Sequence, residues 1–366
     1  MLKMTVRISL EDLVRKALDK ALELGIDVRK SGSIILNENM AFHTLSKILE
    51  EYGVIYTSIK EGFERYPDII EKYGLKLVTI DPKQVDNGIL LYVPRGVKLV
   101  DPIYTCLALG KRGYVQKIYN LYVIEDDAEA IATKGCLTLV PEGAHVGVTE
   151  AYVGRNAKLH SIMIHNWMPE ITVSSITKVR LLDNSIFHSY YVNLTSVKKI
   201  DYGVELNIDG ENAKARSDMV VFGRGDSDMY YWSEARLNAP GSSAELISRM
   251  VGEDKARVEV KSSIVSRAPR TTGHIECQGL QLSRDSVLAT TPSLKSFVND
   301  TVLTHEASIG RISEEELEYL MAHGFTEEEA VSIIVRGFVE VGLELIPEKL
   351  RPIVENVLDR LSKSAM

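Results

Sequence analysis

"RNAKL" at 155–159, "DNSIF" at 183–187 and "ENAKA" at 211–215 decide the fold. Each sets a turn former ahead of a small residue and then a strand-forming run. Related stretches stand at 95–99 ("RGVKL"), 142–146 ("EGAHV"), 242–246 ("SSAEL"), 254–258 ("DKARV") and 284–288 ("RDSVL"). The small residues Ala157, Ser185, Ala213 and Ala244 recur at intervals of 28 to 31 residues. A regular β period of that size points to stacked coils, in which each repeat buries its neighbour's apolar face and none is stable alone. The predicted core is therefore a β-helix over residues 76–309. A large antiparallel sandwich, with its many short strands and turns, is the competing architecture.

The flanks read as helical. In the region 1–75, Ser9 caps a helix whose apolar stripe is Leu10, Leu13, Val14, Ala17, Leu18 and Ala21, and Gly25 stops it. A second helix is expected from about Asn39 to Gly53, and a third in "EGFERYPDIIEKYG" at 61–74. In the region 310–366, Ser313 with Glu316 and Thr326 with Glu329 form two capping boxes around a stop at Gly324. Leu317, Leu320 and Met321 form one stripe; Ala330, Ile333, Ile334 and Phe338 form the next. A third amphipathic helix follows Pro347. Such stripes dock on their own domain or fill a partner's groove.

The chain has 366 residues, 45% apolar and 26% charged, with a net charge of −8. That acidity argues against nucleic acid or an anionic membrane surface as the main partner, since both need a basic footprint. No stretch approaches the roughly 20 apolar residues of a membrane helix, and the N-terminus lacks a signal peptide's apolar middle, so the cytoplasm is the expected location. Cys106, Cys136 and Cys277 are too few and too widely spaced for a disulfide framework or a paired-thiol zinc site. Each is either a small buried hydrophobe or a reactive thiol. No GxxxxGK[ST] loop is present, and "GRGDSD" at 223–228 lacks the lysine a phosphate cradle requires.

Five segments, "GVIYTSIKEGFERYPDIIEKYG" (53–74), "DNGILLYVPRGVKLVDPIYTCL" (86–107), "IMIHNWMPE" (162–170), "RTTGHIEC" (270–277) and "VLTHEASIGRISEEELEYLMAHGFTEEEAVSIIVRGFVE" (302–340), resemble the SufB/SufD family of iron–sulfur cluster assembly scaffolds, in the family's order. The resemblance implies a right-handed parallel β-helix flanked by helices. It also implies an ABC-type ATPase partner, SufC, gripped by the C-terminal helices at Leu317, Leu320, Met321, Ile333, Ile334 and Phe338, together with a sulfur donor and recipient apo-proteins. Some complexes of the family bind a flavin, though nothing in the sequence indicates one. Compared with typical SufB the chain is short at its N-terminus and lacks the cysteine motif many carry there, so a single scaffold pairing with itself through the C-terminal part of the β-helix is expected.

In the cluster-building members a cysteine follows the "GH" strand and a "HE" pair lies 28 residues beyond it; here these are Cys277, His305 and Glu306. The resemblance makes them the ligands of a transient iron–sulfur cluster. One thiolate supplemented by nitrogen and oxygen donors suits a product that must leave. Successive strand residues face opposite ways, so His305 and Glu306 cannot both face Cys277 while the strand is regular; a bend, or a twin subunit, would resolve this. The plain reading makes Cys277 core, His305 a satisfied imidazole and Glu306 a charge beside the next helix. Cys136 is similar in position to a cysteine that accepts sulfur in SufB-type proteins, and Lys134, on the same side of a strand, favours its thiolate; burial is the alternative. His274 is a candidate orienting donor near Cys277. His145, His160, His165 and His188 either line a passage from Cys136 to Cys277 or are ordinary hydrogen-bonded groups. Two other functions compete with the scaffold: a SufD-like subunit that never holds iron, and a β-helix enzyme acting on polysaccharide, for which no repeating aspartate groove is found.

Overall fold

The computed structural model describes residues 10–45, 47–340, 342–343, 348 and 351–363. Its strands are β1 Gly32–Leu36, β2 Asn39–Thr44, β3 Ile55–Ser58, β4 Ile89–Val93, β5 Ile103–Leu109, β6 Val115–Ile124, β7 Glu129–Thr138, β8 Glu142–Val153, β9 Lys158–Asn166, β10 Glu170–Leu181, β11 Ile186–Asn193, β12 Lys199–Ile208, β13 Lys214–Gly223, β14 Asp228–Leu237, β15 Ser243–Gly252, β16 Arg257–Ser266, β17 Thr271–Gln281, β18 Val287–Ser296 and β19 Thr301–Arg311. Odd-numbered strands from β5 onward stack in one sheet, with β1 and β2 at its far edge; the even-numbered ones from β4 stack in the other, with β3 at its edge. Neighbours are parallel except at the N-terminal edge, where β1 pairs with β2 and β3 with β4 antiparallel. The result is a β-solenoid of about eight turns, one strand of each sheet per turn.

The quoted repeat is the corner where the chain passes from the even sheet to the odd one. Asp127, Asn156, Asn184 and Asn212 all take the left-handed conformation, with φ between 55° and 60°. Asn and Asp tolerate that region because their short polar chains bond locally. Here they bond along the stack: Asn184 Nδ2 donates to Asn156 Oδ1 at 3.2 Å, and Asn156 Nδ2 donates to Asp127 Oδ1 at 2.9 Å. Gly241 and Arg270 hold the same corner in the next two turns. The small residue after each corner, Ala128, Ala157, Ser185, Ala213 and Ser242, is wholly buried. Ser242, not Ala244, is thus the fifth member: Ala244 lies two positions on, in register with Ala215.

The alternation of strands divides the core in two. Inward side chains such as Ile124, Val153, Leu181, Ile208 and Leu237 fill the lumen, each burial contributing roughly 1.5–3 kcal/mol of transfer free energy. Outward side chains of the odd sheet meet α1 (Leu10–Glu23), and at the other end of the chain α6 (Glu327–Val339) and α7 (Arg351–Lys363). The even sheet's outer face is covered near its start by α3 (Ile59–Arg65) and α4 (Pro67–Tyr73). A short α2 spans Lys47–Glu51 and α5 spans Glu314–Ala322.

Two expectations change. The helix expected over 39–53 is instead β2 followed by α2, because β1 offers an edge to which Asn39–Thr44 pairs antiparallel. Solenoid strands therefore begin at Gly32, inside the region read as helical. On α6 the buried residues are Ala330, Val335 and Val339; Ile333 points to solvent. Ser9 and Pro347, read as helix-start signals, lie outside the described residues. Among those described, no helix is long and apolar enough to cross a membrane.

Candidate functional site

β17 and β19 are the last two strands of the odd sheet, and among the described residues nothing pairs with the far side of β19. Their register sets Ile275 opposite His305, Glu276 opposite Glu306 and Cys277 opposite Ala307. In a parallel ladder opposed residues share a face, so Cys277 and His305 both belong to the lumen side, two residues out of step. Cys277 is fully enclosed, its thiol 3.8 Å from the Ser262 hydroxyl, whereas His305 stands at the open end, exposed.

Glu306 lies on the other face of the sheet, beside Glu276, whose carboxylate is held at 2.6 Å by Arg249. His274 is on that outer face as well, its Nδ1 2.8 Å from Thr304 Oγ1. It is three residues from Cys277, an odd spacing that puts the two on opposite sides of the strand, so His274 does not orient the thiol within one chain. The structure thus brings Cys277 and His305 to adjoining lumen positions and separates Glu306 and His274 from them. Among the described residues, no three His, Cys, Asp or Glu side chains are grouped to hold a metal ion.

Cys136 sits in the lumen of an earlier turn, with Lys134 on the same face of β7. Burial pushes the thiol up to about 12, against the opposing pull of the Lys134 charge. Burial also pushes the Lys134 ammonium down to about 8. The expected thiolate is therefore not the resting form. Lys134 Nζ lies 3.1 Å from Thr149 Oγ1 and 5.0 Å from the centre of the Tyr122 ring. His145 and His165 also face this chamber and are held neutral by burial, His145 at about 3. Their rings flank Trp167 at 5.1 and 5.3 Å.

His160 and His188 do not share that lumen. They stack edge to face at 5.8 Å on the outer side of the odd sheet, where His188 Nε2 is 2.7 Å from the enclosed Asp218 carboxylate. Only two of the four histidines, His145 and His165, face the lumen. Packed side chains in strict register, Lys134, Met163, Tyr191, Met219, Ser248 and Cys277, join the Cys136 turn to the last one. The five steps span about 24 Å at the usual strand spacing of roughly 4.8 Å. Parity along β7 identifies Lys134 as a fellow lumen residue of Cys136; Trp167, one residue beyond β9, depends on the register that sets His165 opposite Cys136, and the sequence reading did not single it out. Cys106 is core, its thiol pushed up by burial under the helices.

The C-terminal helices present a mixed face. Met321 and Ile333 are each 43% exposed, Tyr319 and Phe325 are exposed beside them, and Leu317, Leu320, Ile334 and Phe338 are half-buried. Phe338 faces the Arg249 guanidinium at 5.9 Å. Glutamates 314–316 and 327–329 fill the first turns of α5 and α6, where the helix dipole favours negative charge.

Residues 109–338 match the family described as "SUF system FeS cluster assembly, SufBD core domain". A protein of Archaeoglobus fulgidus named as an iron–sulfur cluster assembly SufBD family protein is 31% identical over 360 residues, covering 95% of this chain and 96% of that one. A similarly named protein of Methanothermobacter thermautotrophicus (strain Winter) is 34% identical over 291 residues, 79% of this chain and 71% of that one. In Staphylococcus aureus (strain USA300) a further one is 24% identical over 320 residues, 84% of this chain and 69% of that one. With the solenoid, its flanking helices and the separated motifs in register, the chain belongs to the SufBD family of iron–sulfur cluster assembly proteins.

Proposed function

We propose that this chain is the scaffold itself: a non-catalytic homodimer that assembles a nascent iron–sulfur cluster between the open ends of two solenoids, driven by an ABC-type ATPase on its C-terminal helices. One observation carries the reading, the shared lumen face of Cys277 and His305 in the last two turns of a stack beyond whose final strand no described strand pairs. A second copy docking on β19 contributes its Glu306 to the set, which one regular strand cannot do. A thiolate with harder donors holds the cluster weakly enough to release it to recipient proteins. Because the Cys277 thiol is enclosed, loading requires the terminal turn to move. An ATPase dimer that closes on nucleotide and binds the moved state more tightly supplies that shift.

Sulfur arrives, on this reading, at Cys136. Its proton passes to Lys134, the thiolate attacks the outer sulfur of a donor persulfide, the donor's S–S bond breaks and the donor cysteine leaves as thiolate. No oxidant is consumed. A second reading, a SufD-like subunit that stabilises a complex and never holds iron, is favoured by the enclosure of Cys277. Anaerobic reconstitution with iron, sulfide and reductant separates them. The scaffold gives a visible chromophore that Cys277→Ser removes; the partner subunit gives none in either chain.

A further inference from the structure

We propose that the cavity at the second corner of the solenoid is the inlet through which a small sulfur-bearing anion reaches Cys136, and that the Trp167 side chain is its gate. The sulfur in this statement rests on the acceptor role given to Cys136 above; the inlet does not. The cavity, about 360 Å³, lies where the odd sheet hands the chain to the even sheet, and its wall includes Trp167, Met168, Leu194, Thr195, Arg224 and Arg360.

Trp167 is the partition. It is 3% exposed, with the cavity on one side of its indole and the lumen histidines His145 and His165 on the other. His165, whose ring meets the indole, is in register with Cys136 on the adjoining strand, so the thiol lies one strand beyond the partition.

The hydrogen bonding fits a movable ring on a fixed backbone. The Trp167 amide donates to Thr195 Oγ1 and its carbonyl accepts from the same hydroxyl, both at 2.8 Å. The indole Nε1 has no hydrogen-bond partner, and neither has His165 Nε2. Buried polar atoms are ordinarily paired, so two left open on rings whose centres are 5.3 Å apart suit a ligand that accepts from the indole N–H. Swinging the ring breaks no hydrogen bond.

Free donors select an anion. The outer wall carries Arg224, whose Nη2 is likewise without a partner, and Arg360. Each arginine is matched by a carboxylate: Glu253 lies 2.9 Å from Arg224, and Glu23, whose carbonyl accepts from Arg360 at 2.7 Å, brings its carboxylate within 3.5 Å of the same guanidinium. Behind the partition stand Lys134, Thr149, Gln116, His145, His165 and Tyr191, with no carboxylate among them. The free Arg224 N–H, the donor-rich chamber and a passage one indole wide together admit something small, negative and able to accept hydrogen bonds.

The test uses the full chain with Cys106→Ala and Cys277→Ser, leaving Cys136 as the single thiol. Its modification is timed with an anionic (sulfonatoethyl) and a cationic (trimethylammonioethyl) methanethiosulfonate. Trp167→Ala is expected to speed both reactions by about tenfold, as removal of a local barrier does, while Trp167→Phe leaves them near the parent rate. Arg224→Gln is expected to lower the anionic-to-cationic rate ratio about threefold. The proposal is overturned if Trp167→Ala reacts no faster than the parent. It is equally overturned if Phe187→Ala, which opens a lumen void at the opposite corner, gives the same acceleration, or if Arg224→Gln leaves the ratio unchanged. Should Trp167→Ala fail to fold, the Arg224→Gln ratio decides alone. Acceleration without cyanide-labile sulfur after exposure to a persulfide donor upholds the inlet and overturns only the acceptor role of Cys136.

Discussion

Cys277 and His305 occupy neighbouring strands and one lumen face, offset by two residues along the ladder, while Glu306 faces the other way beside Glu276. The offset ranks the donors. Replacing His305 by Ala is expected to weaken iron retention at least about tenfold, the scale on which loss of a metal-orienting group acts, and anaerobic iron titration of isolated dimers measures it. Glu306→Gln should leave iron binding by a forced monomer unchanged, because within one chain that carboxylate points away from the thiol.

The open end exposes large apolar side chains beside its charged ones, where a free edge is usually guarded by charge. Phe297 is 59% exposed, Val302 62% and Ile309 44%. Val302→Lys, on the strand with a free edge, is therefore expected to shift the protein from dimer to monomer with its melting temperature nearly unchanged. Light scattering after size exclusion reads the outcome; a monomeric wild type would remove the twin-chain site.

Lys134 links site to stability through pH. Its folded-state value of about 8 is below the ordinary 10.5, so between those values the unfolded chain holds a proton that the folded chain has released. This group accordingly makes stability rise with pH across that window, and below pH 8 it costs the fold about 3 kcal/mol at 1.36 kcal/mol per pH unit. Lys134→Met should be more stable than wild type at pH 7, with the difference fading by pH 10.5. Urea unfolding at a series of pH values from 7 to 10.5 tests this, with Cys136→Ala in both chains because Lys134 also pulls on that thiol.

Asn184 carries the corner of the solenoid in the left-handed region, at φ 56°. Asn184→Gly should lose only the exposed bond to Asn156. Asn184→Val loses that bond too, and its branched side chain, which resists the region, is expected to cost about 1–2 kcal/mol further. Thermal unfolding distinguishes the pair.

The corners were legible because a left-handed turn restricts its residue types, and Asn156, Asn184 and Asn212 announce it in sequence. Face assignments within strands were legible from odd and even spacing, which already sets His274 against Cys277 and Lys134 with Cys136. The pairing of Asn39–Thr44 with β1 was not: Phe42, Leu45 and Leu49 fit a helical period, and the edge that captures the segment as a strand is supplied by a different stretch of chain. The depth of Cys277 was hidden for a related reason. Its neighbours Ser262 and Ala307 come from other strands, and only the closed stack shows the sulfur roofed by a terminal turn. Helix α6 turned Ile333 outward because docking on the odd sheet selected Ala330, Val335 and Val339, a choice made by the sheet's surface rather than by the helix.

The central claim, one cluster site completed across two chains, is tested most directly by mixing variants. Cys277→Ser and Glu306→Gln chains, each unable to hold a cluster alone, are co-expressed, and the mixed dimer is isolated by differential tags and reconstituted with iron and sulfide. In that dimer one interface site pairs an intact Cys277 with an intact Glu306 from the other chain, so visible absorbance is predicted to return to about half the wild-type value per dimer, the fraction two-fold symmetry leaves complete. A mixed dimer as colourless as either parent variant would contradict a site shared between chains.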